Sequence, residues 1–223
     1  MKKPEQLRGT RAHQRYRLAD GTIVPGVTTI TGNWGGPGGL VRWANNLGLQ
    51  GIDSTKYVDQ TAQIGTLAHE MVQQHLGGPR VEVQDYSPAQ VDKAENALLK
   101  FFEWEKGHKL ETLLIEEQMV SETCRYGGSV DWYGRLDGVP TLVDFKTSKS
   151  IHDGHRIQVS AYRNLLQENG HPVDRVVLLR IGRTEDEGFE ALHLSDRELA
   201  VRWNMFRHLV ETWWLEKGLK EAA

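Results

Sequence analysis

The chain has 223 residues, 39% of them hydrophobic and 26% charged, with a formal net charge of −3. That length suits one domain over 1–223 with a sizeable core, and the balance is that of an ordinary globular protein. No stretch approaches the roughly 18 consecutive apolar residues of a membrane-spanning helix, so no membrane association is expected. The single cysteine, Cys124, excludes an internal disulfide and a cysteine-ligated zinc or iron-sulfur centre, so any metal must bind through oxygen and imidazole.

The first residues, Met-Lys-Lys-Pro-Glu-Gln-Leu-Arg, carry charge with no apolar run behind them, so a secretory leader is not expected and the cytoplasm is the default. Lys2, Lys3, Arg8, Arg11, Arg15 and Arg17 stand against the single acid Glu5. Such a run suits either phosphates or plain solvent. Asp20-Gly21 then predicts a hairpin between Arg15–Leu18 and Thr22–Val24. Residues 32–39 are too rich in glycine for a regular element and predict a mobile loop holding Trp34, which is placed for a base as readily as for a core. Residues 1–50 thus form an extension of hairpin, loop and the short helix Leu40–Leu49.

Spacing predicts a longer helix over Ser54–Leu76 and another over 88–106, the latter opened by Ser87, Pro88 and Gln90 and stopped by Gly107. Three strands, Leu110–Val120, Gly128–Tyr133 and Thr141–Phe145, follow as an antiparallel meander, with Gly127-Gly128 and Asp137-Gly138-Val139-Pro140 read as turn signals. A helix over 155–168 ends at Asn169-Gly170. Val176–Ile181 reads as a buried strand reached by helical crossover, and Ser195-Asp-Arg-Glu198 opens a last helix with Trp203, Phe206, Val210, Trp213 and Trp214 at helical spacing. The order of elements implies an α/β or α+β fold.

The chemistry concentrates in Gly127-Gly128-Ser129-Val130-Asp131 and Leu142-Val143-Asp144-Phe145-Lys146-Thr147. Strand alternation puts Asp144 and Lys146 on one face and Val143 and Phe145 on the other. A carboxylate and an ammonium on an otherwise buried strand persist only when paired or when they hold a cation. Asp131, at the end of the neighbouring strand, brings a second carboxylate. Two carboxylates beside a lysine are what phosphodiester hydrolysis asks for: the acids hold hard divalent cations, and the lysine orients water and stabilises charge on phosphorus. A plain Asp-Lys ion pair is the bland alternative. Gly65 lies one helical turn before His69, which leaves room for a strand or a substrate backbone beside the imidazole. Glycine inside a helix costs about 1 kcal/mol against alanine, so it asks for such a reason.

The ordered set Gly65-Thr-x-x-His69, Glu, Gly127-Gly-x-x-Asp131, Asp144-x-Lys146-Thr147 and Gln158-x-x-x-Tyr162 resembles the RecB-type exonucleases of the PD-(D/E)XK superfamily. Pro25-Gly-Val-Thr28-Thr-Ile30 with Trp43 is similar to the N-terminal motif of phage and mitochondrial-type single-strand exonucleases in that superfamily. The resemblance implies a restriction-endonuclease-like core, a central mixed sheet flanked by helices. It implies His69, Asp131, Asp144 and the Phe145 carbonyl as ligands of one or two Mg²⁺ or Mn²⁺ ions, and Lys146 as the catalytic lysine. The upstream acid is Glu117, chosen over Glu116 because it shares strand parity with Leu113, Ile115 and Met119. Gln158, Tyr162, Thr147, Gly65, Thr28 and Trp34 are expected to support the lysine and the DNA. The implied activity is a metal-dependent DNA exonuclease acting on ends, preferring single strands and leaving 5′-phosphates, bacterial or phage-encoded, with recombination or replication proteins as further partners. A structure-specific endonuclease and a catalytically silent DNA-end-binding module are the rivals. One departure is that Val130 stands where the superfamily's name-giving proline would be.

Overall fold

The computed structural model describes residues 15–32 and 38–221. The basic residues up to Arg11, and Trp34 with the centre of the glycine run, lie outside the described residues. The hairpin expected at Asp20-Gly21 is present as β1 (Tyr16–Arg17) and β2 (Ile23–Val24), with Gly21 at φ +85° and Asp20 accepting the Thr22 N–H at 2.8 Å. Four helices follow: α1 (Val27–Thr31), α2 (Gly38–Leu49), α3 (Ser54–His75) and α4 (Pro88–Glu105). The Asp53 side chain caps α3 by accepting the N–H groups of Thr55 and Lys56, and Gln90 returns to the Ser87 N–H to open α4.

The sheet is built from β3 (Leu110–Ser121), β4 (Tyr126–Leu136), β5 (Val139–Lys146), β6 (Arg175–Ile181) and β7 (Phe189–His193), in that spatial order. The first three strands are the expected antiparallel meander. β6 then pairs parallel to β5 after a crossover through α5 (Asp153–Glu168), and β7 returns antiparallel on the edge. The last helix is α6 (Asp196–Glu221). A five-stranded mixed sheet with helices on both faces is a mixed α/β fold with the restriction-endonuclease-like arrangement. Among the described residues no helix is long and apolar enough to cross a membrane.

Two apolar clusters sandwich the sheet. On one face, Leu67, Val72, Ala97, Phe101 and Trp104 of α3 and α4 pack on Trp132, Leu136, Val143, Phe145, Val177 and Leu179. On the other, Val27, Ile157, Leu165, Phe206 and Val210 of α1, α5 and α6 pack on Val130, Tyr133, Leu142 and Leu178. Burial of both faces makes the centres of β5 and β6 largely apolar, and Asp144 is a fully buried charged residue among them.

Two expectations are corrected. Gly127 and Gly128 are strand residues rather than a turn, since β4 begins at Tyr126. Glycine is needed there for close approach: a Cβ on Gly128 would stand 2.6 Å from Tyr162 Cε1, and one on Gly127 would collide with the Tyr16 ring. The second turn signal is likewise shorter than expected, because Val139 and Pro140 already belong to β5 and only Asp137-Gly138 turns.

Phe101 is fully buried, its ring 5.7 Å from those of both Trp104 and Phe145, whereas Leu99 on the same helix is exposed. Phe101→Ala is expected to lower the unfolding free energy by about 3–5 kcal/mol, and Leu99→Ala to change it by less than about 0.5 kcal/mol. Urea titration followed by tryptophan fluorescence checks both.

Candidate active site

β5 runs between β4 and β6, but its partnership with β4 stops at the rung Trp132–Val143. Beyond it β5 keeps only β6, with Asp144 opposite Leu178, Phe145 opposite Leu179 and Lys146 opposite Arg180. The sheet forks here. The Phe145 N–H, left without a β4 carbonyl, donates instead to Asp131 Oδ2 at 2.9 Å. Asp131 thus caps the strand that carries the Asp-x-Lys pair, and the two pieces of sequence motif meet through a side-chain-to-backbone bond.

Asp144 is fully buried. The Lys146 ammonium lies 2.6 Å from its Oδ2, and apart from this ion pair no donor serves either carboxylate oxygen. Burial is the largest influence on this carboxyl and pushes its pKa up to about 6; Lys146 pulls it down, and Asp131 pushes it further up. Two desolvated oxygens with no donor beyond that ammonium are an expensive arrangement, and a cation satisfies it.

His69 arrives from α3. Its Nδ1 is 3.6 Å from Asp131 Oδ2, and its ring stands edge-on to Phe145 at 6.0 Å between centroids. The approach of α3 to the sheet depends on Gly65, where a Cβ would stand 2.9 Å from Thr147 Oγ1. From α5, Gln158 Nε2 donates to the Tyr162 hydroxyl at 2.8 Å. Tyr162 is buried; burial first and Asp144 second push its hydroxyl well above the ordinary phenol range, so it stays protonated. The structure therefore gathers His69, Asp131, Asp144, Phe145, Lys146, Thr147, Gly65, Gln158 and Tyr162 around the fork. Thr28 is exposed on α1, where its carbonyl accepts the Gly32 N–H.

The parity argument for Glu117 does not hold. Ile115 packs on the α3 and α4 side of the sheet and Met119 on the α1, α5 and α6 side, so β3 changes face between them. The change occurs at Glu116, which has φ +51°, a left-handed conformation unusual for a residue with a side chain. Glu117 is left exposed opposite Val130. Glu116 sits on the next rung, between the pairs Ile115–Trp132 and Glu117–Val130, and so faces Asp131; its Oε2 accepts from Gln73 Nε2 at 2.6 Å. β4 changes face at the same rung, since Val130 and Trp132 also pack on opposite sides. Strict alternation, the only guide a sequence offers, cannot reveal paired kinks of this kind.

Among the described residues no three His, Cys, Asp or Glu side chains form a ready-made metal-holding group. The donor types nonetheless fit a hard divalent cation: Asp144 offers two buried oxygens, Oδ2 beside the Lys146 ammonium and Oδ1 with no partner, with Asp131 and an imidazole adjoining.

No protein-family profile and no curated protein matches the chain. Solved structures do. A protein from Eubacterium rectale assigned as an exonuclease is similar at 15% identity and a TM-score of 0.48, over 67% of this chain and 64% of that one. This chain thus spans less than two thirds of that protein's length. An alkaline exonuclease from Laribacter hongkongensis (12% identity, 74% and 92% covered, TM-score 0.33) and a phage-related exonuclease from Haemophilus somnus (16%, 73% and 84%, TM-score 0.38) are also similar. At such identities and scores the likeness says nothing of what this chain does.

Two outcomes follow from this geometry. Gly65→Ala is expected to destabilise by about 1 kcal/mol despite its better helix propensity, and to stabilise by about 0.5–1 kcal/mol once Thr147→Ala has removed the obstructing hydroxyl; a double-mutant cycle from denaturant midpoints measures the sign change. His155, in the first turn of α5, accepts the His152 N–H on Nδ1, and its pKa is held down to about 3, first by burial, then by Lys146 and His152. The unfolded chain takes up that proton near pH 6.5 and the folded chain does not, so this contribution to stability is present above about 6.5 and is lost progressively as pH falls toward 3. The acid limb of a stability-against-pH curve is therefore expected to be shallower for His155→Gln than for wild type.

Proposed function

We propose that the protein is a metal-dependent deoxyribonuclease that hydrolyses phosphodiester bonds from DNA ends, preferring single strands and leaving 5′-phosphates. The observation that carries this reading is the Asp144 carboxylate, fully buried with no donor beyond Lys146, and with Asp131 on the adjoining strand end. The Lys146 ion pair leaves Oδ1 buried with no partner, which a purely structural pair would be expected to satisfy or expose to water.

In this reading Asp144, Asp131, His69 and the Phe145 carbonyl hold one or two Mg²⁺ or Mn²⁺ ions, with imidazole favouring Mn²⁺ support. Bound there, the ion acts as a Lewis acid on the phosphate and lowers the pKa of an attacking water. Lys146 turns from Asp144 to the water and the non-bridging phosphate oxygen, orienting the one and stabilising charge on the other. Asp131, locked by the Phe145 N–H, fixes the distance between the two strands that carry the acids. Gln158 and Tyr162 keep the α5 side of the pocket neutral and protonated, so no further negative charge faces the phosphate. Glu116, rather than Glu117, is the upstream acid, since it faces Asp131 across the kinked rung. Recombination or replication proteins are the further partners this reading implies.

Digestion of end-labelled linear and covalently closed circular single-stranded DNA with Mg²⁺, Mn²⁺ or EDTA tests it. Expected is loss of linear DNA only, dependent on the metal, with Lys146→Ala slower by at least about 10²–10³-fold. Cut circles would point to an endonuclease, activity in EDTA would overturn the metal requirement, and DNA bound but uncut would identify a binding module.

A further inference from the structure

Gln73 has no part in the sequence motifs, yet it is 3% exposed, one of the few buried polar side chains of the chain. It lies one helical turn beyond His69 on α3, so the two share a face. Its Nε2 donates to Glu116 Oε2 at 2.6 Å, across 43 residues of sequence. The acceptor is not an ordinary strand residue. Glu116 holds φ +51°, at the rung where β3 and β4 both switch faces and where Asp131 stands opposite.

A left-handed conformation costs a residue with a Cβ about 1–2 kcal/mol, and persists only when its surroundings over-determine it. The change of face lets Ile115 and Met119 pack in opposite clusters, but Glu116 itself carries no apolar group into either. The kink brings a carboxylate to the rung of Asp131, and the amide of Gln73 holds one of its oxygens.

We infer that Gln73 is a positioning residue: through its bond to Glu116 it sets the upstream carboxylate at the metal-binding fork, and α3 thereby supplies both His69 and the support for the acid opposite Asp131. This rests on the proposed reading of the site, and deepens it. Outer partners of this kind hold a ligating group in one orientation, and losing them weakens metal binding about 10–100-fold.

The test uses Gln73→Met, which keeps the length of the side chain but cannot donate, together with Glu116→Gln, the double variant and Glu116→Gly, whose glycine suits φ +51°. Two readouts are taken: the Mn²⁺ concentration that half-saturates the rise in melting temperature, without DNA, and kcat and KM on linear single-stranded DNA. Gln73→Met is expected to raise the half-saturating Mn²⁺ about 10–100-fold and lower kcat similarly at unchanged KM, and to add nothing in the Glu116→Gln background. Glu116→Gly is expected to melt no lower than wild type without metal, yet to lose the Mn²⁺ response to the same extent. A Gln73→Met protein that melts lower but keeps the wild-type Mn²⁺ response and kcat overturns the inference and leaves the reading of the site standing. Wild type with neither Mn²⁺ response nor digestion overturns both. If Gln73→Met does not fold, Gln73→Glu carries the same test: its like charge against Glu116 is expected to abolish the Mn²⁺ response, and an unchanged response overturns the inference.

Discussion

One desolvated carboxylate governs the arrangement around it. Asp144 sits in the middle of a strand whose neighbours Val143 and Phe145 are committed to one apolar cluster and Leu142 to the other, so it cannot reach water without dismantling the sheet. The low-dielectric surroundings that make its charge costly also strengthen its attraction to any nearby positive group. Lys146 is the positive group at hand, two residues along the same strand and therefore on the same face. A chain selected for stability alone would place an apolar residue here, so the buried acid supports the proposed reading of the site.

The fork in the sheet is the second constraint, and it follows from the first. A continuous β4–β5 ladder would bury Asp144 between two backbones with no opening for a ligand. Separation of the strands after the Trp132–Val143 rung makes that opening and orphans the Phe145 N–H, which Asp131 then satisfies. The paired change of face at Glu116 and Asp131 lets the apolar residues on either side of the fork stay in their proper clusters while two acids meet at one rung. Helix α3 closes the arrangement because Gly65 lets it come down against Thr147.

Much of this was legible in the residues themselves. The alternation of Val143, Asp144, Phe145 and Lys146 assigns the faces of β5 correctly, the apolar run at 176–181 marks the parallel strand, and Gly65 signals a close approach before any partner is known. The failures have physical causes. Gly127-Gly128 mimics a turn, because a glycine chosen for close packing against Tyr16 and Tyr162 reads the same as one chosen for backbone freedom. Strand β7 escapes notice because Phe189-Glu-Ala-Leu-His193 is an edge segment that buries little and shows no clean alternation. Helix α1 is too short for a period to register, and is fixed by burial of Val27 and Ile30 rather than by propensity. Parity along β3 points to Glu117, but the strand changes face at Glu116, so alternation does not predict which way either side chain turns.

The electrostatic count at the fork bears on the kind of cation the site would take. In the proposed site, with Glu116 as the upstream acid, three carboxylates accompany one ammonium, a formal charge of −3 + 1 = −2, and the His69 imidazole adjoins. A monovalent ion would leave such a group negative, and a phosphate approaching it would be repelled. A divalent ion brings the group to neutrality, and a second one makes it attractive to an anionic backbone. The same count explains why Lys146 can serve two states of the site. Without metal its ammonium is the close counter-charge to Asp144 among the described residues, and in the proposed reading a bound cation takes that role and the lysine is free to face the substrate. Its short tether of two residues from Asp144 keeps both positions within reach of one side chain.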